Sequence, residues 1–497
     1  MTTRAVAAID LGAESGRVVL GRFDGERVTL KEVHRFPTRP RPHDGHLRWD
    51  LHGLWSQIKT GLAAAGAAAG TIEAVGVDAW GVDYGLLGRD GELLGDPVSY
   101  RDPRTRGMVE EAIGRVGREQ LYQATGTQLM EINTVFQLMA EHRAGTLDRA
   151  GRLLLMPDLF HHLLSGSTVA EYTVASTTGA YDMAVGRWAT DLLTELGIPT
   201  HVLPEVVEAG TDLGPVRLEE HAFRRARVIA PATHDTASAV ASVPFGDPGA
   251  AYVSSGTWSL VGVEATEPVL TEAARLANLT NEGGAFGTIR LLRNSGGLWL
   301  LQECRRQWAQ EDRTYSYEEL VRLAAQHPGG TCLINVDHPD FVQSGDMPAR
   351  IRGYCARTGQ PVPKDDASVT RCILDSLALG YRRALEDLTA VTGRGIPALH
   401  IVGGGSRNQL LNQMVADVTG LPVLAGPAEA TALGNILVQL IALGELNDLG
   451  QARAVVLSGA EQEISQVEPS GDDRVAQRYD RYHVLVQADL AATAVPG

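Results

Sequence analysis

Pro231-Ala-Thr-His-Asp-Thr-Ala-Ser-Ala239 sets one carboxylate, Asp235, between a histidine and a threonine, after an apolar run and before a run of small residues. The pattern predicts a strand, Arg227 to Ile229, that ends just upstream and hands over to a short helix. Shortly afterwards Ala251-Tyr-Val-Ser-Ser-Gly-Thr-Trp-Ser259 reads as strand, turn, strand. Its Ser-Ser-Gly-Thr turn is of the kind that offers unpaired backbone N–H groups to a phosphate, with Thr257 the residue placed on it. A lone carboxylate beside a phosphate turn points to phosphoryl transfer, in which the acid takes a hydroxyl proton as the phosphate is delivered. Asp235 has a competing reading as a helix N-cap. His234 has two as well, a substrate hydrogen-bonding residue or a satisfied structural histidine.

Working outward, similar turns recur. Asp10-Leu-Gly-Ala-Glu-Ser-Gly-Arg17 follows the apolar run Ala5 to Leu11 and turns on two glycines. Asp10 is a candidate to hold Mg²⁺ through water, while Ser15, Gly16 and Arg17 are placed to meet phosphate oxygens; the alternative is an ordinary polar hairpin. Leu399 to Val402 enters Gly403-Gly404-Gly405, where a nucleotide's ribose and adenine can pack against bare backbone, or where strand and helix merely pack closely. Asp78-Ala-Trp-Gly81-Val-Asp83 follows a strand and sets Gly81 where a sugar can approach, although Trp80 also reads as core. The chain has three lysines, Lys31, Lys59 and Lys364, and none follows a Gly-rich turn, so a Walker-A loop is excluded.

Three strands (Ala5 to Leu11, Val18 to Phe23, Val28 to Arg35), a helix over Leu51 to Ala69 and further strands at Ile72 to Asp78 and Val82 to Leu87 open a mixed α/β sheet. Residues 100 to 225 read as helical and irregular, a candidate lining for a small-molecule cleft. Pro244-Phe-Gly-Asp-Pro-Gly249 breaks any element and suggests a hinge. After it the strand–turn–strand opening recurs, a weak internal duplication. With 497 residues, two domains are expected, 1-245 and 246-490. The tail from about Ala491 reads as frayed.

Composition excludes several classes. The net charge of −16 and the lack of a basic run argue against nucleic acid or an anionic membrane as partner. Met1 to Ala8 is too short for a signal core, and no apolar stretch reaches the roughly 18 residues a spanning helix needs. Cys304, Cys332, Cys355 and Cys372 show no zinc spacing and read as reduced thiols of a cytoplasmic protein, with a Cys355–Cys372 link left open.

With these motifs assembled, the chain resembles the FGGY carbohydrate kinases of the actin-like ATPase superfamily, nearly end to end. Asp10–Arg17 and Ser254–Ser259 look like the two phosphate motifs, and Val402–Asn408 like the adenosine motif. Longer strings narrow the match: Asp44-Gly-His-Leu-Arg-Trp-Asp50, Asp78–Asp83, Thr233–Ala239, Thr280-Asn-Glu-Gly-Gly284, Gly297–Arg305 and Gly426–Asn435. The resemblance implies an α/β fold of two actin-like ATPase (ribonuclease H-like) domains with a cleft between them. It implies ATP and Mg²⁺ as cofactors and a small-molecule sugar, L-rhamnulose, phosphorylated at O1. Another deoxyketose such as L-fuculose, or a non-catalytic sugar-binding role, is the alternative. It places Asp235 as proton acceptor, with Gly81, His234, Thr236 and Asn294 on the sugar. ATP falls on Ala13, Glu14, Ser15, Gly16, Arg17, Thr257, Gln302 and Gly404. A monomer or homodimer is expected. Glu14 stands where the family commonly has Ser, and an acid beside phosphates repels them unless it points away.

Overall fold

The computed structural model describes residues 3–460 and 464–493. The C-terminal helix Val475–Thr493 continues past Ala491, and the rest of the tail lies outside the described residues. Two compact units divide the chain. The first comprises Met1–Phe245, Glu264–Leu292 and Glu429–Gln462, the second Gly246–Val263, Arg293–Ala428 and Glu463–Gly497. The first division therefore falls inside the Pro244–Gly249 stretch, and two later segments pack back into the first unit.

The main sheet of the first unit has the order Asp212–Pro215, Arg227–Ile229, Ala74–Ala79, Arg4–Leu11, Ser15–Phe23, Val28–Pro37. Arg4–Leu11 is buried along almost its whole length, which is why it reads as an unbroken apolar run. It pairs antiparallel with Ser15–Phe23 and parallel with Ala74–Ala79. A parallel return needs a crossover, and the helix Leu51–Ala69 supplies it. That helix starts where the Asp50 carboxylate accepts from the Gly53 N–H, and it buries Leu54, Ile58, Leu62 and Ala65.

The helix Ala430–Ala442 covers the same sheet, and its Gln439 amide donates to the Ala7 carbonyl at 3.1 Å. It crosses the helix Asp235–Ala241 so closely that a Cβ on Gly434 would lie 1.7 Å from the Ser238 carbonyl oxygen. The strand expected at Val82 to Leu87 is Tyr84–Gly88, and it leaves the main sheet to pair with Ala150–Leu155. Around this pair the helices Met108–Val116, Thr134–Arg143, Met156–Ser165 and Thr190–Glu195 build a core of their own, which includes Phe136, Leu138, Leu155 and Leu193.

The second unit repeats the plan of the first. Its strands follow the order Ser465–Val467, Val423–Ala425, Leu399–Val402, Ala251–Ser255, then Trp258 onward. Again a hairpin is followed in space by a parallel strand, and again the far strand is antiparallel. The duplication legible in the sequence is thus a repeated sheet topology.

All four cysteines are free and buried. Cys332, Cys355 and Cys372, on a loop and two helices of the second unit, bring their sulfurs within 4.8 Å of one another, a convergence that sequence spacing does not reveal.

Candidate active site

Asp235 is the first residue of the helix Asp235–Ala241, and the extended residue before it, His234, occupies the cap position without a side-chain cap bond. Asp235 is therefore not the N-cap. Its Oδ1 accepts from the Thr236 N–H at 2.5 Å and the Thr236 hydroxyl at 3.2 Å, and 29% of its side chain stays accessible. Burial pushes its carboxyl above the ordinary range; His234 pulls it back and Asp10 pushes it further up. A bridge between Ala79 and His234, with the Ala79 N–H on the Thr233 carbonyl, ties this loop to the end of the strand Ala74–Ala79. That junction brings Gly81 to the site: a Cβ there would sit 2.9 Å from Thr177 Oγ1 and 3.3 Å from His234 Nε2. Beside it, Trp80 is core. Its ring lies 4.2 Å from that of Trp49, and both indole N–H groups donate to Asp83 Oδ2. Burial still lifts Asp83 to about 6.

Asp10 faces Arg17 across the hairpin, and the guanidinium binds Asp10 Oδ2 through Nε at 2.9 Å and Nη2 at 2.6 Å. Arg17 also pairs with Glu429. Asp10 and Asp78 lie level on adjacent parallel strands, so their side chains leave the same face of the sheet. Asp78 is fully buried; its Oδ2 accepts from Asn435 at 2.6 Å, and its Oδ1 has no partner. Burial, then Asp10, raises Asp78 well above the usual carboxylate range. Carboxylate oxygens, one of them orphaned, make a hard donor set that fits Mg²⁺. Between Asp10 and Arg17, the turn that holds Ala13, Glu14, Ser15 and Gly16 is closed by Gly12 N–H on the Ser15 carbonyl and by Thr38 N–H on the Glu14 carbonyl. The Glu14 carboxylate lies 3.8 Å from Arg39. The acid is partnered, so its repulsion of a phosphate is partly offset.

In the second unit the turn after Ala251–Ser255 packs on the start of the helix Trp299–Gln310: Leu298 and Trp299 N–H groups donate to the Gly256 and Thr257 carbonyls at 3.0 and 3.1 Å. Gln302, one turn into that helix, has a buried Oε1 without a partner. The glycine turn packs on the same hairpin, since a Cβ on Gly405 would lie 2.0 Å from Ser255 Oγ. Gly404, by contrast, is exposed, with nothing within 4 Å of where its Cβ would be. Thr257, Gln302 and Gly404 thus lie on elements that pack on one hairpin of the second unit, and Asn294 lies on the strand that leads into the same helix. Gly81, His234, Asp235, Thr236, Asp10 and the Ala13–Arg17 turn belong to the first unit.

Several partners of these residues were not singled out by sequence reasoning. Asn435 and Glu429 sit in the Gly426–Asn435 string, and Glu282 in the Thr280–Gly284 string. Arg290 lies outside every quoted motif, and its one signal is an arginine among apolar residues, Ile289-Arg-Leu-Leu292, at the start of the strand Ile289–Gly296.

Family models describe the chain as an N-terminal domain of the FGGY family of carbohydrate kinases over residues 5–241 and a C-terminal domain of that family over 251–443. A protein called rhamnulokinase from Bacteroides thetaiotaomicron is 43% identical over 90% of this chain and 93% of its own length. Another from Pectobacterium carotovorum subsp. carotovorum is 42% identical over 99% and 98%. Among solved structures, a gluconate kinase from Lactobacillus acidophilus matches with a TM-score of 0.79 at 16% identity, covering 99% of both chains. A Plasmodium falciparum glycerol kinase with ADP matches at 0.75 and 15% identity, over 100% of this chain and 99% of its own. The fold is the two-domain, mixed α/β one of actin-like ATPase type, and the protein is an enzyme that takes a sugar and ATP. The chain belongs to the FGGY family of carbohydrate kinases.

Proposed function

We propose that this carbohydrate kinase transfers the γ-phosphoryl group of ATP to O1 of L-rhamnulose, giving ADP and L-rhamnulose 1-phosphate. The observation that carries the choice of sugar is the likeness to rhamnulokinases over 99% of the chain at 42% identity. Glycerol and gluconate kinases share only the fold, at 15 to 16% identity.

Asp235 is the general base. Its Oδ1 faces the Thr236 N–H and hydroxyl and, at 3.5 Å, His234 Nε2, and the other oxygen is the one proposed to meet a hydroxyl. As O1 attacks the γ-phosphorus, the O1 proton passes to Asp235 and the bond to the ADP oxygen breaks. Gly81, His234, Thr236 and Asn294 hold the sugar. Bare backbone at Gly81, with Thr177 Oγ1 and His234 Nε2 beside it, suits a polyol whose hydroxyls donate and accept at close range. Thr257, Gln302 and Gly404 hold the nucleotide: the hydroxyl and turn meet phosphate oxygens, the orphaned Gln302 oxygen awaits a donor, and the exposed Gly404 backbone offers a flat platform. Ala13, Glu14, Ser15, Gly16 and Arg17 complete the phosphate contacts, Glu14 through its backbone.

Mg²⁺, held by Asp10 with Asp78 behind it, would neutralise charge on the phosphate oxygens when bound. The guanidinium of Arg17 stands on Asp10 in the described structure, and Glu429 is a second carboxylate for it. With reduced thiols throughout, a cytoplasmic enzyme is the reading we adopt.

The test is an assay in which the product is identified by NMR, with ATP, Mg²⁺ and a panel of ketoses. Formation of L-rhamnulose 1-phosphate at the highest kcat/KM supports the proposal. Preference for L-fuculose, or sugar binding without a phosphosugar product, overturns it.

A further inference from the structure

His234 is held from behind by a buried ion pair. Arg290, fully buried, lies opposite Glu282 in the antiparallel pairing of Thr280–Gly283 with Ile289–Gly296, all within the first unit's Glu264–Leu292 segment up to Leu292. Its Nε donates to the Gly283 carbonyl at 2.9 Å, and its Nη2 lies 3.0 Å from His234 Nδ1. Glu282 Oε2 is 3.1 Å from that Nη2 and 3.4 Å from His234 Nδ1. On its other edge the imidazole presents Nε2, 3.5 Å from Asp235 Oδ1 and next to Gly81.

A guanidinium carries only donors. At 3.0 Å from Arg290, Nδ1 has to offer its lone pair, because a proton there would meet the Arg290 N–H head-on. A neutral imidazole has one N–H, so the proton resides on Nε2. The charged groups around the ring are then accounted for: Glu282 balances Arg290, and the Nε2–H points toward Asp235 and the space beside Gly81. Burying such a pair is costly and brings no obvious gain in stability over an apolar pair. Its value lies in fixing one tautomer.

We propose that Arg290, paired with Glu282, is a positioning residue for the transfer: it locks His234 as an Nε2–H donor, so that the sugar must present an oxygen acceptor there and Asp235 is left as the sole base. This deepens the sugar site assigned above and rests on that reading. It also predicts which acceptors are refused. A sugar that bears no oxygen where Nε2–H points leaves a buried donor unpaired and binds poorly.

The decisive experiment has two arms. In the first, the protein labelled with ¹⁵N-histidine is examined without any ligand at neutral pH, and His234 is assigned among the 14 histidines by the signal lost in His234→Gln. The expected result is a non-protonated Nδ1 and a protonated Nε2. A protonated Nδ1, alone or in an imidazolium, overturns the proposal, and this arm needs no variant of the ion pair to fold and no substrate to be known. In the second arm, Glu282→Gln and Arg290→Met are combined so that no buried charge is stranded. The KM for the sugar should rise roughly tenfold, the scale of one misplaced hydrogen bond, with the KM for ATP unchanged. The Nε2–H preference should be lost together with it. An unaltered sugar KM overturns the proposal. If the wild-type enzyme phosphorylates no deoxyketose, the functional reading fails, while the tautomer result stands or falls separately.

Discussion

The two units share a sheet plan but differ in what they put at its end. Where the first hairpin turns, Asp10 and Arg17 face each other, Asp78 lies alongside and Asp235 follows, all within one charged and partly buried cluster. Where the second hairpin turns, the side chains are hydroxyls and an amide, and glycines bring backbone to the surface. A repeated fold therefore carries two chemistries. Asp235 and Asp78, whose proton affinities are raised by burial and by the nearby Asp10, suit proton transfer, and Asp10 is the oxygen donor proposed for the metal. A turn of hydroxyls beside bare glycine backbone suits holding a nucleotide by shape. The division of labour predicts that damage to one unit spares the other's ligand.

The largest effect is expected at Asp235. Asp235→Asn keeps the size and one acceptor but cannot take a proton, so kcat should fall by roughly 10²- to 10⁴-fold. ATP affinity, measured by calorimetry, should stay within about threefold of wild type, the scale of experimental difference for an uncharged neighbour. In the wild type, the raised proton affinity of Asp235 places the acid limb of the kcat–pH profile above the ordinary carboxylate value of 3.8.

The reverse case is Gly405→Ala. Its Cβ would clash with Ser255 and shift the Gly403–Gly405 turn, raising the KM for ATP on the order of ten- to a hundredfold. Sugar affinity should be left as it was. If both ligands weaken equally, the comparison fails.

A smaller effect tests the first unit's buried acids through stability. Asp83 has a folded value of about 6 against an ordinary 3.8. The folded state thus binds more protons than the unfolded state in that window. Stability is fullest below 3.8 and is lost as the pH rises through about 6. Asp83→Asn keeps an acceptor for both indoles, and denaturant titrations at pH 4 to 6 should show a flatter dependence than wild type. The smallest effect belongs to Glu14→Gln. Because Glu14 already faces Arg39, the KM for ATP should change by less than about twofold.

What could be read from the chain follows from which features are local. Asp235, the Ser254–Ser259 turn and Gly403–Gly405 announce themselves because a turn and its flanking strands are written in consecutive residues, and Leu399–Val402 forms as read. The Trp80 ambiguity resolves toward core because its indole meets Trp49 and Asp83, one of which is far away in sequence. Asn435 reaches Asp78 across 357 positions, and Arg290 reaches His234 across 56; neither pairing leaves a periodic or spacing signal. The strand Tyr84–Gly88 was recognisable as a strand, but its partner Ala150–Leu155 is a tertiary choice that alternation cannot specify. For the same reason three cysteines without any spacing motif meet in one place.

A crystal structure of the enzyme with ADP, Mg²⁺ and L-rhamnulose would test the assignment of base and acceptor together. The expected result is a carboxylate oxygen of Asp235 within about 2.6–3.2 Å of the sugar's O1, with His234 Nε2 on another sugar oxygen. An Asp235 that bonds only to Thr236 while the sugar lies elsewhere would contradict it.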